Sequence, residues 1–316
     1  MAVEAGTLSL AEVRVAAGRI APHIWKTPTL ANEAVAGPGV WLKAENLQRT
    51  GSFKVRGAVN AVLQLSPEQR SRGVITLSAG NHGLALSYAA QAVGTRCVVV
   101  VREDAPITKL EAIRRYGAEI VLTPLAQWQE RLEAEQRARN LHLVHPFDDP
   151  AVAAGQGTVG LEILAAVPDV RTVVVPVGGG GLISGVAVAV KQQRPDVRVI
   201  GVEPEQAAAV SESLAAGHPV APSRLDSVAD GLAAPYTRPF TLALIQRHVD
   251  EVRTVSDVAI IEALRATALR ARLVVEPAGA AAVAALLADP AIARPVVAIL
   301  SGGNLDGQRL STWLAG

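Results

Sequence analysis

Residues 172–191, TVVVPVGGGGLISGVAVAVK, join a β-branched run to four consecutive glycines and then to an alanine- and valine-rich helical pattern. Comparable apolar runs occur elsewhere in the chain: VITL from 74, CVVVV from 97, EIVLT from 119, VRVIGVEP from 197 and VVAILSGG from 296. Continuous apolar strands that alternate with helical patterns are typical of parallel sheets with both faces covered. The predicted fold class is therefore α/β.

Two polar, turn-rich segments, SPEQRSRG (66–73) and HPFDDP (145–150), bracket three of the strand–helix units. This arrangement predicts a small domain inserted into a larger one. Because domain interfaces commonly form ligand-binding clefts, we expect the site at this seam.

The composition limits the classes of function. The 316 residues are enough for two domains, and the formal net charge of +1 gives no basic excess for binding nucleic acid or an anionic membrane. The single cysteine, Cys97, lies in an apolar run and fits a buried thiol in a reducing compartment. The sequence has no signal-peptide pattern at its start and no run of about 18 apolar residues. We expect a cytoplasmic protein without a membrane span.

Three strands end in turns of small residues: LSAGNHG (77–83), PVGGGG (176–181) and LSGGN (300–304). In open parallel sheets, ligands bind beyond the carboxyl ends of the strands. Gly178–Gly181 precede a helical pattern, so main-chain N–H groups and a helix N-terminus can hold a phosphate there. Leu182 and Ile183 follow the glycines where a Walker loop would have Lys and Ser or Thr.

A dinucleotide interpretation of the same segment stays open. Gly179, Gly181 and Ser184 approximate the glycine fingerprint, and Glu203 follows roughly 20 residues later, where an acid would meet ribose hydroxyls. Taken alone, the segment is compatible with an NAD-binding oxidoreductase. The turn at 78–83 suits another anion, such as a substrate carboxylate, and we interpret His82 as a capping or core histidine.

A lysine stands in the segment TGSFKVRGA (50–58). Ser52 is a natural N-cap for the helical pattern that follows, which places Lys54 in the first turn. The helix dipole disfavours a cation there by about 0.3–1 kcal/mol, so the amine is biased toward its neutral, nucleophilic form. A cofactor that carries both a phosphate and an aldehyde would use this amine and the glycine turn, which indicates pyridoxal 5'-phosphate held on Lys54 as a Schiff base.

Eight segments in order along the chain resemble the serine/threonine dehydratase and serine racemase branch of the fold-type II pyridoxal-phosphate enzymes: TGSFKVRGA, SAGNHG, HPFDDPAVAAGQGT, PVGGGGLISG, GVEPE, VADG, EPAGA and LSGGN. The resemblance implies a tryptophan synthase β-like architecture of two parallel-sheet α/β domains with the active site in the cleft between them. The expected large, cofactor-binding domain comprises residues 1–64 and 147–316, and the small domain residues 72–146.

The resemblance also implies roles for single residues. Lys54 would hold the cofactor and act as the base at the substrate α-carbon, Phe53 would pack on the pyridine ring, Asn81 would hydrogen-bond its phenolic oxygen, and Ser301 would face its nitrogen. The phosphate would be held by Gly178, Gly179, Gly180, Gly181 and Leu182. The substrate carboxylate would be received, largely through backbone N–H groups, by Ser78, Ala79, Gly80, Asn81 and His82.

The reaction implied by the resemblance is β-elimination from L-threonine and/or L-serine, giving 2-oxobutyrate or pyruvate and ammonia, in a homo-oligomer of two or four chains. Because Ser301 is neutral, it would leave the ring nitrogen unprotonated and favour prompt loss of a β-hydroxyl. Serine racemase and hydroxyaspartate dehydratase are the alternatives within the family. Serine racemases carry a second serine at the position of Ala79, so efficient racemisation is not expected.

A cation site is the remaining expectation. Metal-dependent relatives use a glutamate at the position of Glu203, a carbonyl at Ala207 and an acid at the position of Ala209. Losing one carboxylate weakens a hard cation's hold, so we expect weak or absent divalent binding, and a monovalent ion at Glu203 stays open.

Overall fold

The computed structural model describes residues 7–78 and 80–315, which form two α/β domains around two sheets. The larger sheet has six strands in the order β1-β2-β10-β7-β8-β9, and only the β1–β2 pair is antiparallel. Its strands are β1 Thr29–Ala31, β2 Val40–Ala44, β7 Thr172–Pro176, β8 Arg198–Pro204, β9 Glu251–Val255 and β10 Val296–Leu300.

The smaller sheet has four parallel strands in the order β5-β4-β3-β6. These strands are β3 Val74–Leu77, β4 Cys97–Arg102, β5 Glu119–Thr123 and β6 His142–Leu143. All four lie within the residue range expected for the small domain. The six strands predicted from apolar runs are thus confirmed, and β1, β2, β6 and β9 are additional.

Helices cover the sheets. In chain order they are α1 Leu10–Ile20, α2 Glu33–Ala36, α3 Lys54–Leu63, α4 Pro67–Arg72, α5 Asn81–Val93, α6 Ile107–Arg114, α7 Trp128–Arg139, α8 Pro150–Ala166, α9 Gly181–Lys191, α10 Ala209–Ala216, α11 Pro239–His248, α12 Asp257–Ala266, α13 Pro277–Ala288 and α14 Gly307–Ala315. Within these described ranges, no helix is both long and apolar enough to cross a membrane. The segment 66–73, read as a turn from sequence, is mostly helix α4, because Ser66 and Gln69 form a capping box.

Helix α3 links the two domains. Its residues Val55, Val59 and Val62 are buried in the same apolar cluster as Val74 and Val99 of the small sheet. The helix that begins with Lys54 therefore packs on the small domain, although the predicted boundary at residue 64 groups it with the large one. The boundaries themselves stay a prediction.

A buried ion cluster anchors α3 from its other side. The guanidinium of Arg56 donates to both carboxylate oxygens of Glu45 at 2.8 Å and to Glu162 of α8, and Lys43 of β2 also pairs with Glu162. Arg56, Lys43 and Glu45 have no exposed side-chain surface. Two positive and two negative side chains thus neutralise one another against α3. Arg56, which belongs to this cluster, follows Lys54 by two residues.

The single cysteine is confirmed as buried. Cys97 lies in β4 with 4% of its surface exposed, and burial raises the pKa of its thiol to about 12. It is packed as a small apolar residue rather than held as a reactive thiolate.

Candidate active site

Lys54 is the first residue of α3 and reaches toward the seam between the domains. Its Nζ donates to the main-chain oxygen of Pro146 at 2.9 Å and lies 5.1 Å from the ring centroid of Phe53. Burial lowers the pKa of the Lys54 amine to about 8, and the carboxylate of Glu276 opposes this shift. The amine is therefore partly neutral near neutral pH, as expected of a lysine that forms Schiff bases.

The predicted N-cap of this helix is wrong. Phe53 precedes Lys54 with helical dihedral angles, φ −56° and ψ −23°, so the helix has no side-chain cap. Ser52 instead forms an isolated β-bridge with Gly302, and its hydroxyl is buried without a hydrogen-bond partner. Lys54 nevertheless keeps its first-turn position, so the argument from the helix dipole still applies.

The same bridge brings the third glycine turn to the lysine. Phe53 donates its backbone N–H to the oxygen of Ser301 at 3.1 Å, and Gly303 donates to the oxygen of Gly51 at 2.9 Å. Ser301 is 3% exposed, and its hydroxyl donates to the oxygen of Ala278 at 3.3 Å. Lys54 and Ser301, predicted as site residues from distant segments, are thus neighbours.

The glycine turn lies on the other side of the Pro146 loop. Gly180 caps α9 in the left-handed region, at φ 95°, and no side chain caps the helix. A Cβ at Gly179 would lie 2.4 Å from the ring of Phe147, and one at Gly181 would lie 2.8 Å from its Cα. The loop that binds the Lys54 amine through Pro146 therefore rests directly on the glycine turn through Phe147.

Asn81 begins α5 and connects the small domain to the large one. Its Nδ2 donates to Glu276 Oε1 at 2.6 Å, and its Oδ1 accepts from Asn304 Nδ2 at 2.8 Å. Burial raises the pKa of Glu276 to about 7, while the hydrogen bond from Asn81 lowers it. The three side chains form a polar chain across the cleft.

A second link between the domains lies at the edge of the cleft. Lys109 of α6 pairs with Asp230 at 3.0 Å, and both side chains are partly exposed. Both residues also influence the charge of Glu276, Asp230 by raising its pKa and Lys109 by lowering it. The pair is therefore a partly exposed contact between the domains that acts on the charge of Glu276.

The turn at 78–83 is only partly described. Ala79 lies outside the described residues, and the Ser78 hydroxyl accepts from the N–H of Gly80 at 3.2 Å. Helix α5 begins directly afterward without a side-chain cap, so its first N–H groups are free of capping groups.

His82 is a core histidine, as interpreted from sequence. It is 2% exposed, its Nε2 lies 3.0 Å from the oxygen of Val144, and burial lowers its pKa to about 3. The Nε2 atom is thus engaged by the main chain of the small domain, and we expect the backbone N–H of His82, rather than its ring, to meet a substrate carboxylate. Leu182 is similar, since its side chain is buried in an apolar cluster and leaves only its N–H for a phosphate.

Glu203 accepts hydrogen bonds from the N-terminal residues of α10. Its Oε1 accepts from the N–H of Val210 at 2.8 Å, and its Oε2 accepts from the N–H and hydroxyl of Ser211 at 2.8 and 2.6 Å. Burial raises the pKa of Glu203 to about 7 against these hydrogen bonds. Both carboxylate oxygens are therefore already occupied by donors of α10, and Ala207 and Ala209 bring no further acid.

These groups come from both domains, and the Pro146–Phe147 loop joins the buried amine of Lys54 to the uncapped, glycine-bearing N-terminus of α9. The sequence profile of the family described as "Pyridoxal-phosphate dependent enzyme" matches residues 20–302, nearly the whole chain. The chain belongs to this family. The nicotinamide interpretation of the glycine turn is therefore not supported, and Glu203, bound to α10, is not free to meet a ribose.

Individual relatives of this family differ in their named reactions. L-threonine ammonia-lyase of Thermotoga maritima is 43% identical over 276 residues, covering 86% of this chain and 69% of that protein. The β-hydroxyaspartate dehydratase of Paracoccus denitrificans is 40% identical over 299 residues, covering 92% and 95%. The solved structure of maize serine racemase has a TM-score of 0.92 at 34% identity and covers 97% of each chain. The fold-type II architecture is thereby confirmed.

The residues present fit pyridoxal phosphate. The turn at Gly178–Gly181 holds no side chain, and the helix that follows presents its first N–H groups uncapped, as a phosphate site requires. Lys54 supplies an amine with a depressed pKa, and Asn81 keeps one N–H beyond its bond to Glu276.

Three residues near the lysine were missed from sequence. Pro146 acts through a main-chain oxygen, which no residue type signals. Glu276 was quoted only as part of EPAGA, and because the helix dipole favours an acid directly before a helix, its position gave no signal of a role in the site. Asn304 is the last residue of the quoted LSGGN segment and was given no role. Asparagine beside glycines in a turn often forms side-chain hydrogen bonds, which is the signal that could have identified it.

Proposed function

We propose that the protein is a pyridoxal-phosphate-dependent ammonia-lyase that converts L-threonine and/or L-serine to 2-oxobutyrate or pyruvate and ammonia. The observation that carries the proposal is the Lys54 amine, with its pKa lowered to about 8 and linked through the Pro146 loop to the glycine turn. The threonine ammonia-lyase relative at 43% identity supports the choice of reaction.

When bound, pyridoxal phosphate supplies an electron-withdrawing ring that stabilises negative charge at the substrate α-carbon. The N–H groups from Gly178 to Leu182 would hold its phosphate, Phe53 would pack on the ring, and the Ser301 hydroxyl would face the ring nitrogen. Because Ser301 is a neutral partner, it does not keep that nitrogen protonated. We infer that this weakens long-lived charge storage and favours early loss of a leaving group.

Lys54 is the proposed base. Its amine is held by the Pro146 carbonyl, and its depressed pKa lets it be neutral and take the α-proton near neutral pH. The uncapped N-terminus of α5 would receive the substrate carboxylate together with Ser78, Ala79 and Gly80, which precede it in the sequence, assisted by the N–H groups of Asn81 and His82. The substrate would thus be bound by the small domain and deprotonated from α3.

Two related reactions compete with this proposal. The hydroxyaspartate dehydratase at 40% identity supports the same elimination on a substrate with a second carboxylate. The serine racemase likeness supports α-proton exchange, but Ala79 has no hydroxyl to return a proton on the opposite face. We therefore place elimination before racemisation.

Further properties follow from the same proposal. We infer a homo-oligomer of two or four chains that acts on free amino acids without nucleic acid. A cytoplasmic location is inferred from the buried, uncrosslinked Cys97, which suits a reducing compartment. Because both oxygens of Glu203 already accept hydrogen bonds, we infer that the enzyme needs no divalent cation there.

The test begins with purified protein loaded with pyridoxal phosphate. L-threonine, L-serine and threo-3-hydroxyaspartate are supplied separately, 2-oxo acid release is assayed, and the remaining amino acid is resolved by chirality. We expect 2-oxo acid from threonine or serine and a fall of at least about 10³-fold in Lys54→Ala. Lys26→Ala removes an exposed lysine and is the matched control.

The outcome can contradict the proposal in three ways. Full activity in Lys54→Ala would remove the lysine from the mechanism. Appreciable D-serine with little pyruvate would assign the racemase reaction instead. Activity confined to hydroxyaspartate would keep the elimination and change the substrate.

A further inference from the structure

The amide of Asn81 is held in one orientation by two partners, one that accepts a hydrogen bond and one that donates a hydrogen bond. Its Nδ2 faces the Glu276 carboxylate at 2.6 Å, and its Oδ1 faces the Asn304 Nδ2 at 2.8 Å. Turning the amide over would place oxygen against carboxylate and NH₂ against NH₂. Only the observed orientation satisfies both contacts.

Asn304 is oriented independently of Asn81. Its Nδ2 also donates to the main-chain oxygen of Thr50 at 2.7 Å, and a main-chain carbonyl can only accept. The two hydrogens of this single NH₂ group thus meet two acceptors, Thr50 and Asn81. The direction of the Asn81 amide is therefore set from the backbone, through Asn304.

The Asn304 side chain packs closely on Gly51. Gly51, at φ 71°, lies so close that a Cβ there would fall 2.2 Å from Asn304 Oδ1. The neighbouring N–H of Gly303 donates to the oxygen of Gly51 at 2.9 Å. Turn 300–304 is thereby fixed on the segment that leads to Lys54.

Glu276 cannot fix the amide alone. Burial raises its pKa to about 7, so near neutral pH the carboxyl is partly protonated and can donate as well as accept. The charged groups around it are Lys54, Lys109 and Asp230. The Asn304 amide has no such change of character.

We propose that Asn304 is a positioning residue: it turns the Asn81 amide so that its remaining N–H, rather than its oxygen, is presented to the phenolic oxygen of bound pyridoxal phosphate. This inference rests on the cofactor site of the proposed function. With the amide reversed, an amide oxygen would face the phenolic oxygen and repel it. Asn304 therefore acts through Asn81 and across the seam between the domains.

The test replaces Asn304 by an isostere that cannot donate. In Asn304→Asp, both donated hydrogens are lost and Asn81 is driven to turn its NH₂ toward residue 304. We expect the Kd for pyridoxal phosphate to rise about tenfold, because one charge-assisted hydrogen bond is lost. We also expect the pH titration of the visible absorbance band to shift. Asn304→Ala, which removes the donors without adding charge, is expected to shift both in the same direction.

Asn46→Asp is the matched control. Asn46 Nδ2 donates to the main-chain oxygen of Val274 at 2.9 Å, and the same substitution there also removes a donor to a backbone acceptor near the same turn. We expect its cofactor affinity and absorbance band to match those of the wild-type protein.

A double variant shows whether the effect passes through Asn81. If it does, adding Asn304→Asp to Asn81→Ala changes Kd and the band no further. Additive losses, or an effect of Asn304→Asp no larger than that of Asn46→Asp, would overturn the proposal. Both readouts need only bound cofactor, so a protein that binds pyridoxal phosphate but releases no 2-oxo acid contradicts the proposed reaction and still decides the role of Asn304.

Discussion

Lys54 Nζ lies 2.9 Å from the main-chain oxygen of Pro146, and the next residue, Phe147, packs on Gly179 and Gly181. One loop therefore contacts both the amine and the glycine turn. The lysine and the phosphate site that we propose are held at a fixed separation by backbone, and neither needs a charged partner to stay in place.

The lowered pKa of Lys54 predicts the pH dependence of cofactor attachment. Only the neutral amine attacks the aldehyde, and its fraction rises about tenfold per pH unit below the pKa and levels above it. We expect the rate at which the cofactor-free protein acquires its visible absorbance band to level near pH 8. A free alkylamine, with a pKa of about 10.5, is the control, and a protein rate still rising steeply at pH 10 would contradict the assigned pKa.

A comparison of Gly180→Ala with Gly217→Ala tests whether the glycine turn holds the cofactor phosphate. Gly180 has φ 95°, and an alanine there costs about 1–2 kcal/mol of unfolding free energy. Gly217, at φ 76° with open space around it, provides the backbone strain alone away from the cleft, whereas a Cβ at Gly180 would also lie 2.9 Å from Ile245 Cδ1. We expect both variants to lose stability in urea and only Gly180→Ala to bind pyridoxal phosphate more weakly by equilibrium titration. Equal affinities would mean that the turn does not hold the phosphate.

The ion cluster behind α3 predicts a large stability effect. Arg56→Met leaves Glu45 buried without its main cationic partner, which costs about 3–5 kcal/mol. Arg72→Met breaks an exposed i,i+4 pair with Glu68 and is expected to cost about 0.3–0.5 kcal/mol. Urea unfolding of both variants checks the difference. Similar costs would show that the cluster is solvated in solution.

Glu203 is expected to matter for folding and not for metal binding. Glu203→Ala leaves the first N–H groups of α10 without their acceptor, at a cost of about 2–3 kcal/mol, whereas Glu205→Ala at an exposed position stays within about 0.5 kcal/mol. Activity is expected to be unchanged by dialysis against EDTA. Activity that falls with EDTA and returns with Mg²⁺ in the wild-type protein, but not in Glu203→Ala, would contradict this prediction.

Strands that are apolar throughout could be predicted from the sequence. β4 and β7 are buried on both faces, so their valine runs stand out. β2 did not stand out, because its Lys43 interrupts the apolar run. That lysine is buried with its charge balanced by Glu45 and by Glu162, and no local pattern contains the contact with Glu162, 119 residues later.

The site could be predicted as far as single residues carry a signature. Lys54 and the glycine turn have one, whereas Glu276 joins the site through a contact with Asn81, 195 residues away. The N-cap prediction failed for the same reason. Ser52 has the side chain of a cap, but its pairing with Gly302 leaves Phe53 to begin the helical backbone.

Strand β10 lies in the middle of the large sheet, between β2 and β7, although it is the last strand of the chain. During synthesis, β1 and β2 leave the ribosome more than 250 residues before β10, the strand that pairs with β2. The small sheet, whose strands all lie within residues 74–143, has every pairing partner much sooner. The topology therefore allows the small sheet to form first. In the large sheet, the pair β1–β2 and the strands β7–β9 can be joined only after residues 296–300 have been synthesised and lie between them.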